Sequence, residues 1–105
     1  MKMTEDMEIS KNPLSVMLDA KNISFPLTLR YAAEGDRFVP FGMTGSKLLS
    51  DFLTDRKRSL LQKRSQLIVA NGDKNILWVV GERIDNRYKV NGETKEIVLI
   101  NLLEG

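Results

Sequence analysis

The spacing of apolar residues predicts strands in the first third of the chain. Leu27, Leu29 and Tyr31 alternate with polar residues, so their side chains would share one side of an extended segment. We therefore predict a strand within residues 23–31. A shorter apolar segment, residues 14–18, is a second strand candidate.

The spacing then changes to that of a helix. From Lys47 onward, four apolar residues fall on one helical face at i, i+1, i+4 and i+5, namely Leu48, Leu49, Phe52 and Leu53. Ser46 precedes them and is the predicted N-cap. Residues 58–65 are a second short helix candidate, and Leu60 and Leu61 are its expected apolar contacts.

A hairpin is predicted in the second half of the chain. Residues 67–70 and 76–80 flank a turn sequence, Asn71-Gly72-Asp73. The near-continuous apolar run of residues 76–80 is typical of a strand that is buried on both faces. Trp78 lies in this run, so we expect its indole ring in the core.

A second hairpin is predicted after the first. Residues 83–90 would pair with residues 95–103 through Asn91-Gly92, a type I′ turn signal. Alternate residues of a strand point to the same side. The first strand of this hairpin would therefore present three cations together, Arg83, Arg87 and Lys89.

Strands with two short helices inserted between them define the fold class. We predict a single α+β domain. A chain of 105 residues is long enough for one domain with one modest core. Residues 1–13 are polar and aperiodic, and we expect a disordered terminus or the remnant of a linker there. Residues 14–105 then form the domain.

The composition excludes most catalytic chemistry. The chain has no histidine and no cysteine, so zinc sites, Ser-His-Asp triads and thiol nucleophiles are unavailable. We therefore predict no catalytic residue and no metal ligand. No apolar run approaches the roughly 20 residues that span a bilayer, and residues 1–10 lack the apolar core of a signal peptide. A cytoplasmic protein without membrane contact is expected.

Positive charge is concentrated in the middle of the chain. The net charge is only +2, but residues 37–64 hold seven basic and two acidic residues, which gives +5. The basic residues are Arg37, Lys47, Arg56, Lys57, Arg58, Lys63 and Arg64. Such a block favours a phosphate-bearing partner, and a solvated surface without a partner is the alternative.

A loop rich in glycine opens this basic block. Pro40 and three glycines (Gly35, Gly42 and Gly45) are typical of a loop with one irregular shape. Residues 42–47 suggest a phosphate-binding loop, but only two residues separate its glycines, where a Walker A loop has four. A small nucleotide-dependent enzyme is the function that this segment alone would support. Alternatively, Lys47 and nearby backbone amides could meet an RNA phosphate.

The acidic and aromatic side chains of the same region have other expected roles. Asp36, Asp51 and Asp55 lie among cations, so we expect ion pairing or capping from them rather than acid–base catalysis. Phe38 and Phe41 have two possible roles. They fix the loop on the core, which we favour, or they stack on an exposed base.

Three segments of the chain closely resemble the C-terminal domain of bacterial tRNA(Ile)-lysidine synthetases: GDRFVPFGMTGSKLLSDFLTDRK, WVVGERI and RYKV. The resemblance extends from Leu27 to the C-terminus. Its signature, GDRF-x-P-x-G-M-x-G-x-K-x-L-S-D, is long and ordered. It implies a small β-sandwich-like fold, similar to a domain of the phenylalanyl-tRNA synthetase beta chain.

The resemblance also implies a function. Enzymes of this family join the ε-amino group of lysine to C2 of the wobble cytidine of one isoleucine tRNA, with ATP and Mg²⁺ in an N-terminal domain. The SGG-x-DS motif of that domain is absent here, so the resemblance implies an accessory tRNA-binding domain without a cofactor. Its partners would be the tRNA(Ile) acceptor stem and the N-terminal catalytic domain of the same polypeptide. The alternative is a protein-interaction module, including a homodimer, without direct RNA contact.

The family pattern matches individual residues, which are Gly35, Asp36, Arg37, Phe38, Pro40, Gly42, Met43, Gly45, Lys47, Asp51 and Lys57. We predict phosphate contacts by Arg37, Lys47, Arg56, Lys57, Arg58 and Arg64, followed by Arg83, Arg87 and Lys89. The residues expected to shape the loop are Gly35, Pro40, Gly42 and Gly45. Asp36 is expected to cap or orient it.

Overall fold

The computed structural model describes residues 14–102. The strands are β1 (Ser15–Asp19), β2 (Thr28–Tyr31), β3 (Arg37–Phe38), β4 (Lys47–Leu48), β5 (Leu67–Ala70), β6 (Ile76–Val79), β7 (Arg83–Ile84) and β8 (Ile97–Asn101). The α-helices are α1 (Leu49–Asp55) and α2 (Leu60–Arg64), and short 3-10 helices occur at Ala20–Asn22 and Asn86–Tyr88. The predicted terminus or linker remnant, residues 1–13, lies outside the described residues.

A four-stranded antiparallel sheet with the order β2-β5-β6-β7 forms the centre of the fold. The β5–β6 hairpin confirms the first predicted hairpin, with Val69 opposite Trp78. All four residues of β6 are buried, as its apolar sequence predicts. In the turn, the side-chain oxygen of Asn71 accepts hydrogen bonds from the N–H groups of Asp73 and Asn75, at 2.9 and 3.0 Å.

The second predicted hairpin does not form, and its first predicted strand is much shorter than expected. β7 has only two residues and pairs back onto β6. Asp85 ends the strand because its carboxylate caps the 3-10 helix Asn86–Tyr88, where it accepts the N–H of Arg87 at 2.8 Å. Arg83, Arg87 and Lys89 therefore do not alternate along one strand, because only Arg83 belongs to β7.

The second strand of that hairpin pairs elsewhere. β8 is antiparallel to β1, and we call this two-stranded sheet the ribbon. Asn91 opens a wider loop instead of a two-residue turn, since its side chain accepts the N–H of Glu93 and its own N–H donates to the Thr94 hydroxyl. The chain therefore passes from the edge of the central sheet to the ribbon, and the two ends of the domain pair with each other.

The central sheet has an apolar core on each face. The core between the sheet and the ribbon contains Leu18, Ile23, Val69, Leu77, Trp78, Tyr88 and Ile100. The core between the sheet, the β3–β4 pair and α1 contains Phe38, Leu49, Phe52, Leu53, Ile68, Ala70, Ile76 and Val79. Each fully buried Leu, Ile or Phe contributes about 1.5–3 kcal/mol. This sandwich-like α+β arrangement, with two short helices, confirms the predicted fold class.

The start of α1 differs from the prediction. Lys47 and Leu48 are extended because they pair with β3, so α1 begins at Leu49. Ser46 is not the N-cap, and its hydroxyl instead accepts a hydrogen bond from Nε of Arg37 at 3.2 Å. The predicted apolar face is largely confirmed, since Leu49 and two further residues of α1, Phe52 and Leu53, are buried.

The second helix is confirmed, but its predicted apolar contacts are wrong. Leu60 and Leu61 are 63% and 77% exposed, and no residue of this five-residue helix is buried. A capping box holds it instead, with Ser59 and Gln62 each accepting the other's backbone N–H at 3.1 and 2.8 Å. Between residues 14 and 102, no helix is long and apolar enough to cross a membrane.

Candidate nucleic-acid interface

Residues 35–46, which we call the glycine loop, lie between β2 and β4 in the chain and include β3. Gly35 and Gly42 have φ angles of 88° and 89°, which strain any residue with a side chain. Gly45 has no positive φ, and no heavy atom lies within 4 Å of the position that a Cβ would take. Two of the three predicted loop glycines therefore have a backbone reason to be glycine.

Asp36 fixes the first turn of the glycine loop, consistent with the expected capping or orienting role. Its carboxylate accepts two hydrogen bonds from the Arg30 guanidinium, at 3.0 and 3.1 Å, and one from the N–H of Ala33 at 2.7 Å. Burial alone would raise the pKa of Asp36. The hydrogen bonds from Arg30 and Ala33 and the Arg30 charge outweigh this effect and hold the pKa below its usual value.

The middle of the glycine loop is bonded to the segment after β7. The N–H of Phe41 donates to the Ile84 carbonyl at 3.0 Å, and the Val39 carbonyl accepts the N–H of Asn86 at 2.6 Å. The Asn86 side chain accepts the N–H of Gly42 at 3.2 Å. These bonds join two irregular segments into one continuous surface.

A buried carboxylate is the centre of this junction. Asp85 is fully buried and accepts the N–H of Val39 at 2.9 Å. It also accepts two hydrogen bonds from the guanidinium of Arg87, both at 2.9 Å. Hydrogen bonding to Asp85 outweighs burial and raises the pKa of Arg87. Asp85 thus orients both the loop and a predicted phosphate contact.

A second carboxylate holds two further arginines. The Glu82 side chain is only 6% exposed and accepts hydrogen bonds from Nε and Nη2 of Arg58 at 2.9 and 2.6 Å. Its other oxygen forms an ion pair with Arg56. Arg58 and Arg56 therefore reach one anion from the segment that follows α1, and neither can move freely.

Arg83 completes this group from β7. Its guanidinium carbon lies 5.7 Å from the centre of the Phe52 ring, as does that of Arg56. Nη1 of Arg83 also donates to the Phe41 carbonyl at 3.3 Å. Three predicted phosphate contacts therefore converge around Glu82 and Phe52, and we call Arg56, Arg58 and Arg83 the arginine cluster.

The other predicted contacts are distributed differently. Arg37 and Lys47 lie on the β3–β4 pair, where Arg37 donates to Ser46 and Lys47 forms an ion pair with Asp55. Among the residues of the basic block and the predicted phosphate contacts, four form no ion pair and no side-chain hydrogen bond: Lys57, Lys63, Arg64 and Lys89. We call these the free cations.

The two loop phenylalanines differ. Phe38 is 1% exposed and packs edge-to-face on Phe52 with ring centres 5.1 Å apart, as expected for a residue that fixes the loop on the core. Phe41 is 49% exposed. Trp78 is buried, as predicted. Among residues 14–102, no three acidic side chains converge in a way that could hold a metal ion.

The phosphate-binding loop that residues 42–47 suggest does not form. Lys47 lies in β4, and the N–H of Leu49, the first residue of α1, donates to the Asp36 carbonyl at 2.8 Å. The amide of Gly42 is likewise bonded, to Asn86. The arrangement that would favour a nucleotide at this helix start is therefore absent from the described residues.

Sequence reasoning missed the residues that organise the site: Arg30, Glu82, Asp85 and Asn86. One signal could have identified two of them, since Asp85-Asn86 is a turn-forming pair inside a segment that was assigned to a strand. Glu82 gives no comparable signal, because its partner Arg58 lies 24 residues earlier.

Comparison with known sequences identifies the family. Residues 27–101 match the family described as the TilS substrate C-terminal domain. The tRNA(Ile)-lysidine synthase of Parabacteroides distasonis is 46% identical over 100 residues, which cover 95% of this chain and 23% of that protein. The chain therefore spans about a quarter of the length of this curated relative.

Solved structures share the fold. A crystal structure of a TilS C-terminal domain has a TM-score of 0.70 and 26% identity, and the match covers 91% of this chain and 75% of that chain. An N-terminal fragment of the phenylalanyl-tRNA synthetase beta-subunit from Pyrococcus horikoshii has a TM-score of 0.69 and 18% identity, over 81% of this chain and 26% of that chain. The second similarity confirms the expected fold relation. With the family match over most of its length, the chain belongs to the C-terminal domain family of the tRNA(Ile)-lysidine synthases.

Proposed function

We propose that this domain binds the acceptor stem of tRNA(Ile) for a tRNA(Ile)-lysidine synthase. The parent enzyme would attach lysine to C2 of the wobble cytidine, with ATP and Mg²⁺ in its N-terminal catalytic domain. This domain would hold one end of the tRNA while the anticodon is modified elsewhere. It would itself contribute no catalytic group, in keeping with a sequence that has no histidine and no cysteine.

The observation that carries the proposal is the arginine cluster beside the glycine loop. The major groove of A-form RNA is too narrow for side chains to read, so a stem is recognised by its shape, phosphates and 2′-hydroxyls. Such recognition needs cations in fixed positions on an irregular surface. Glu82 and the Phe52 ring fix the guanidinium groups of the cluster, and hydrogen bonds to residues 84–86 fix the loop.

The local charge supports an anionic partner. The arginine cluster and the adjacent Lys57 supply four positive charges, and Glu82 supplies one negative charge, which leaves a net +3 at this corner. Lys57 is a free cation at the exposed bend between the two anchored arginines. Its charge is therefore available to a phosphate without breaking an internal ion pair.

A titration tests the proposal. The domain is titrated with an acceptor-stem minihelix of tRNA(Ile) and with an unrelated RNA hairpin, each at several salt concentrations. We expect tighter binding to the minihelix and a salt dependence that corresponds to several released counter-ions. Equal affinity for both RNAs would contradict acceptor-stem recognition.

A matched pair of lysines locates the contact. Lys57 and Lys74 are both exposed at positive φ, 62° and 70°, and Lys74 lies in the turn at the other end of β6 from Glu82. We expect Lys57→Gln to lower the slope of log K against log salt by about one. Lys74→Gln should leave the slope unchanged. Equal slopes for the two variants would contradict the placement of the interface.

An exposed apolar edge favours a second candidate function, docking on another protein surface. Leu29 and Tyr31 lie on one side of the edge strand β2 and are 51% and 62% exposed. Light scattering on the domain tests self-association. A dimer that Leu29→Lys dissociates would support this candidate, and a monomer at all concentrations would exclude the homodimer.

A further inference from the structure

A pocket next to the arginine cluster has a lining that suits a nucleobase. It encloses about 320 Å³ and is lined mainly by Val16, Phe41, Trp78, Glu82, Arg83 and Ile84. Its apolar residues come from the ribbon, the glycine loop and strands β6 and β7. Arg83 belongs to both the pocket and the arginine cluster, so the pocket is continuous with the proposed interface.

Phe41 is the unusual member of this lining. Phe41 is 49% exposed, whereas Phe38, three residues earlier, is buried. Two hydrogen bonds fix the backbone of Phe41. Its N–H donates to the Ile84 carbonyl, and its carbonyl accepts from the guanidinium of Arg83. An aromatic ring held at a pocket beside a guanidinium is the arrangement that proteins use to stack an unpaired base.

The charge around the pocket favours a base over an apolar protein side chain. Its one carboxylate, Glu82, is already bonded to Arg56 and Arg58. The surrounding residues therefore present excess positive charge around an apolar interior. An occupant that is flat and apolar on its faces and carries a phosphate matches both features.

We propose that this pocket binds an unpaired nucleobase of the bound RNA, stacked on Phe41, with Arg83 on its phosphate. The proposal rests on the proposed RNA-binding function and adds a single-stranded element to it. A duplex with a single-stranded 3′ extension would then bind more tightly than the same duplex with a blunt end.

The test compares these two RNAs on the wild-type domain and on variants at Phe41. We expect the extended RNA to bind the wild type roughly tenfold more tightly than the blunt duplex. Phe41→Ala should bind both RNAs with the blunt-duplex affinity, and Phe41→Tyr should keep the preference. Phe25→Ala is the control, because Phe25 is an exposed aromatic residue that does not line the pocket.

A spectroscopic measurement on the wild type does not depend on how the variants fold. With 2-aminopurine in the extension, stacking on Phe41 should quench its fluorescence on binding. If the domain binds the blunt duplex and the extended RNA equally well, the pocket assignment is wrong and the proposed function stands. The same holds if the extended RNA binds without quenching of 2-aminopurine. If neither RNA binds at low salt, both the pocket assignment and the proposed function are wrong.

Discussion

The arginine cluster and the free cations carry the same charge in different settings. Arg56 and Arg58 share the nearly buried carboxylate of Glu82, and Arg56 also lies against the Phe52 ring. Lys57 lies between these two arginines in sequence, yet its side chain contacts no charged partner. Neighbouring residues in one basic run therefore have different physical roles.

The difference separates two contributions to RNA binding. An anchored guanidinium has lost its rotamer freedom on folding, so it presents its donors in a fixed geometry and loses little entropy when a phosphate binds. A free lysine supplies charge, which raises affinity for any RNA and is screened by salt. We therefore expect the anchored arginines to determine which RNA is preferred and the free cations to determine how strongly salt weakens binding.

The largest expected effect comes from the anchor of Arg87. Asp85→Ala leaves the N–H of Val39 without its acceptor and Arg87 without its counter-ion, so we expect a loss of about 3 kcal/mol of unfolding free energy. Urea denaturation measures it. The control is Asp55→Ala, which breaks an exposed ion pair with Lys47 and should cost at most about 0.5 kcal/mol.

Equal stability of these two aspartate variants would contradict the distinction between anchored and exposed cations. It would mean that a buried carboxylate contributes no more to stability than a surface ion pair. Asp85→Asn measures how much of the effect is due to the charge of Asp85. The amide keeps the size and one acceptor of the carboxylate but not its charge. We expect its stability to lie between those of the wild type and Asp85→Ala.

Glu82→Gln separates charge from position. The change raises the net charge by one unit but releases Arg56 and Arg58 from their shared anion. If charge alone matters, both RNAs should bind more tightly. If anchoring matters, the preference for the acceptor-stem minihelix over an unrelated hairpin should fall, with about 2 kcal/mol of stability lost. Paired titrations on the variant decide between these outcomes, and an unchanged preference would contradict the role assigned to the anchor.

The sequence predicted the parts of the fold that local pattern determines. β6 is a continuous apolar run beside a turn sequence, and α1 has an apolar face at helical spacing, so the β5–β6 hairpin and α1 could be predicted. The predicted hairpin of residues 83–90 and 95–103 does not form, because a local cap and a non-local strand pairing override the turn signal of Asn91-Gly92. Asp85 ends β7 after two residues, and β8 finds its partner in β1, at the other end of the domain.

The candidate site could be predicted only in part for the same reason. Cations are visible in a sequence, and their number alone identifies the basic block. Their partners are not visible, since Arg58 meets Glu82 across 24 residues and Val39 meets Asp85 across 46. Which arginines are anchored and which lysines are free is thus a property of the fold.

The smallest expected effect concerns an anchored cation outside the predicted contacts. Arg30 is bonded to Asp36, and the folded-state pKa of Asp36 is lowered. A lowered carboxyl pKa stabilises the fold above the pKa of the unfolded chain, near pH ~4, and this contribution is lost as the pH falls through the folded-state value. We expect Asp36→Asn to cost about 1–2 kcal/mol at pH 7. Urea midpoints of the two proteins should converge below the pKa of Asp36, and a gap that persists in acid would show that Asp36 acts through shape and not through its charge on Arg30.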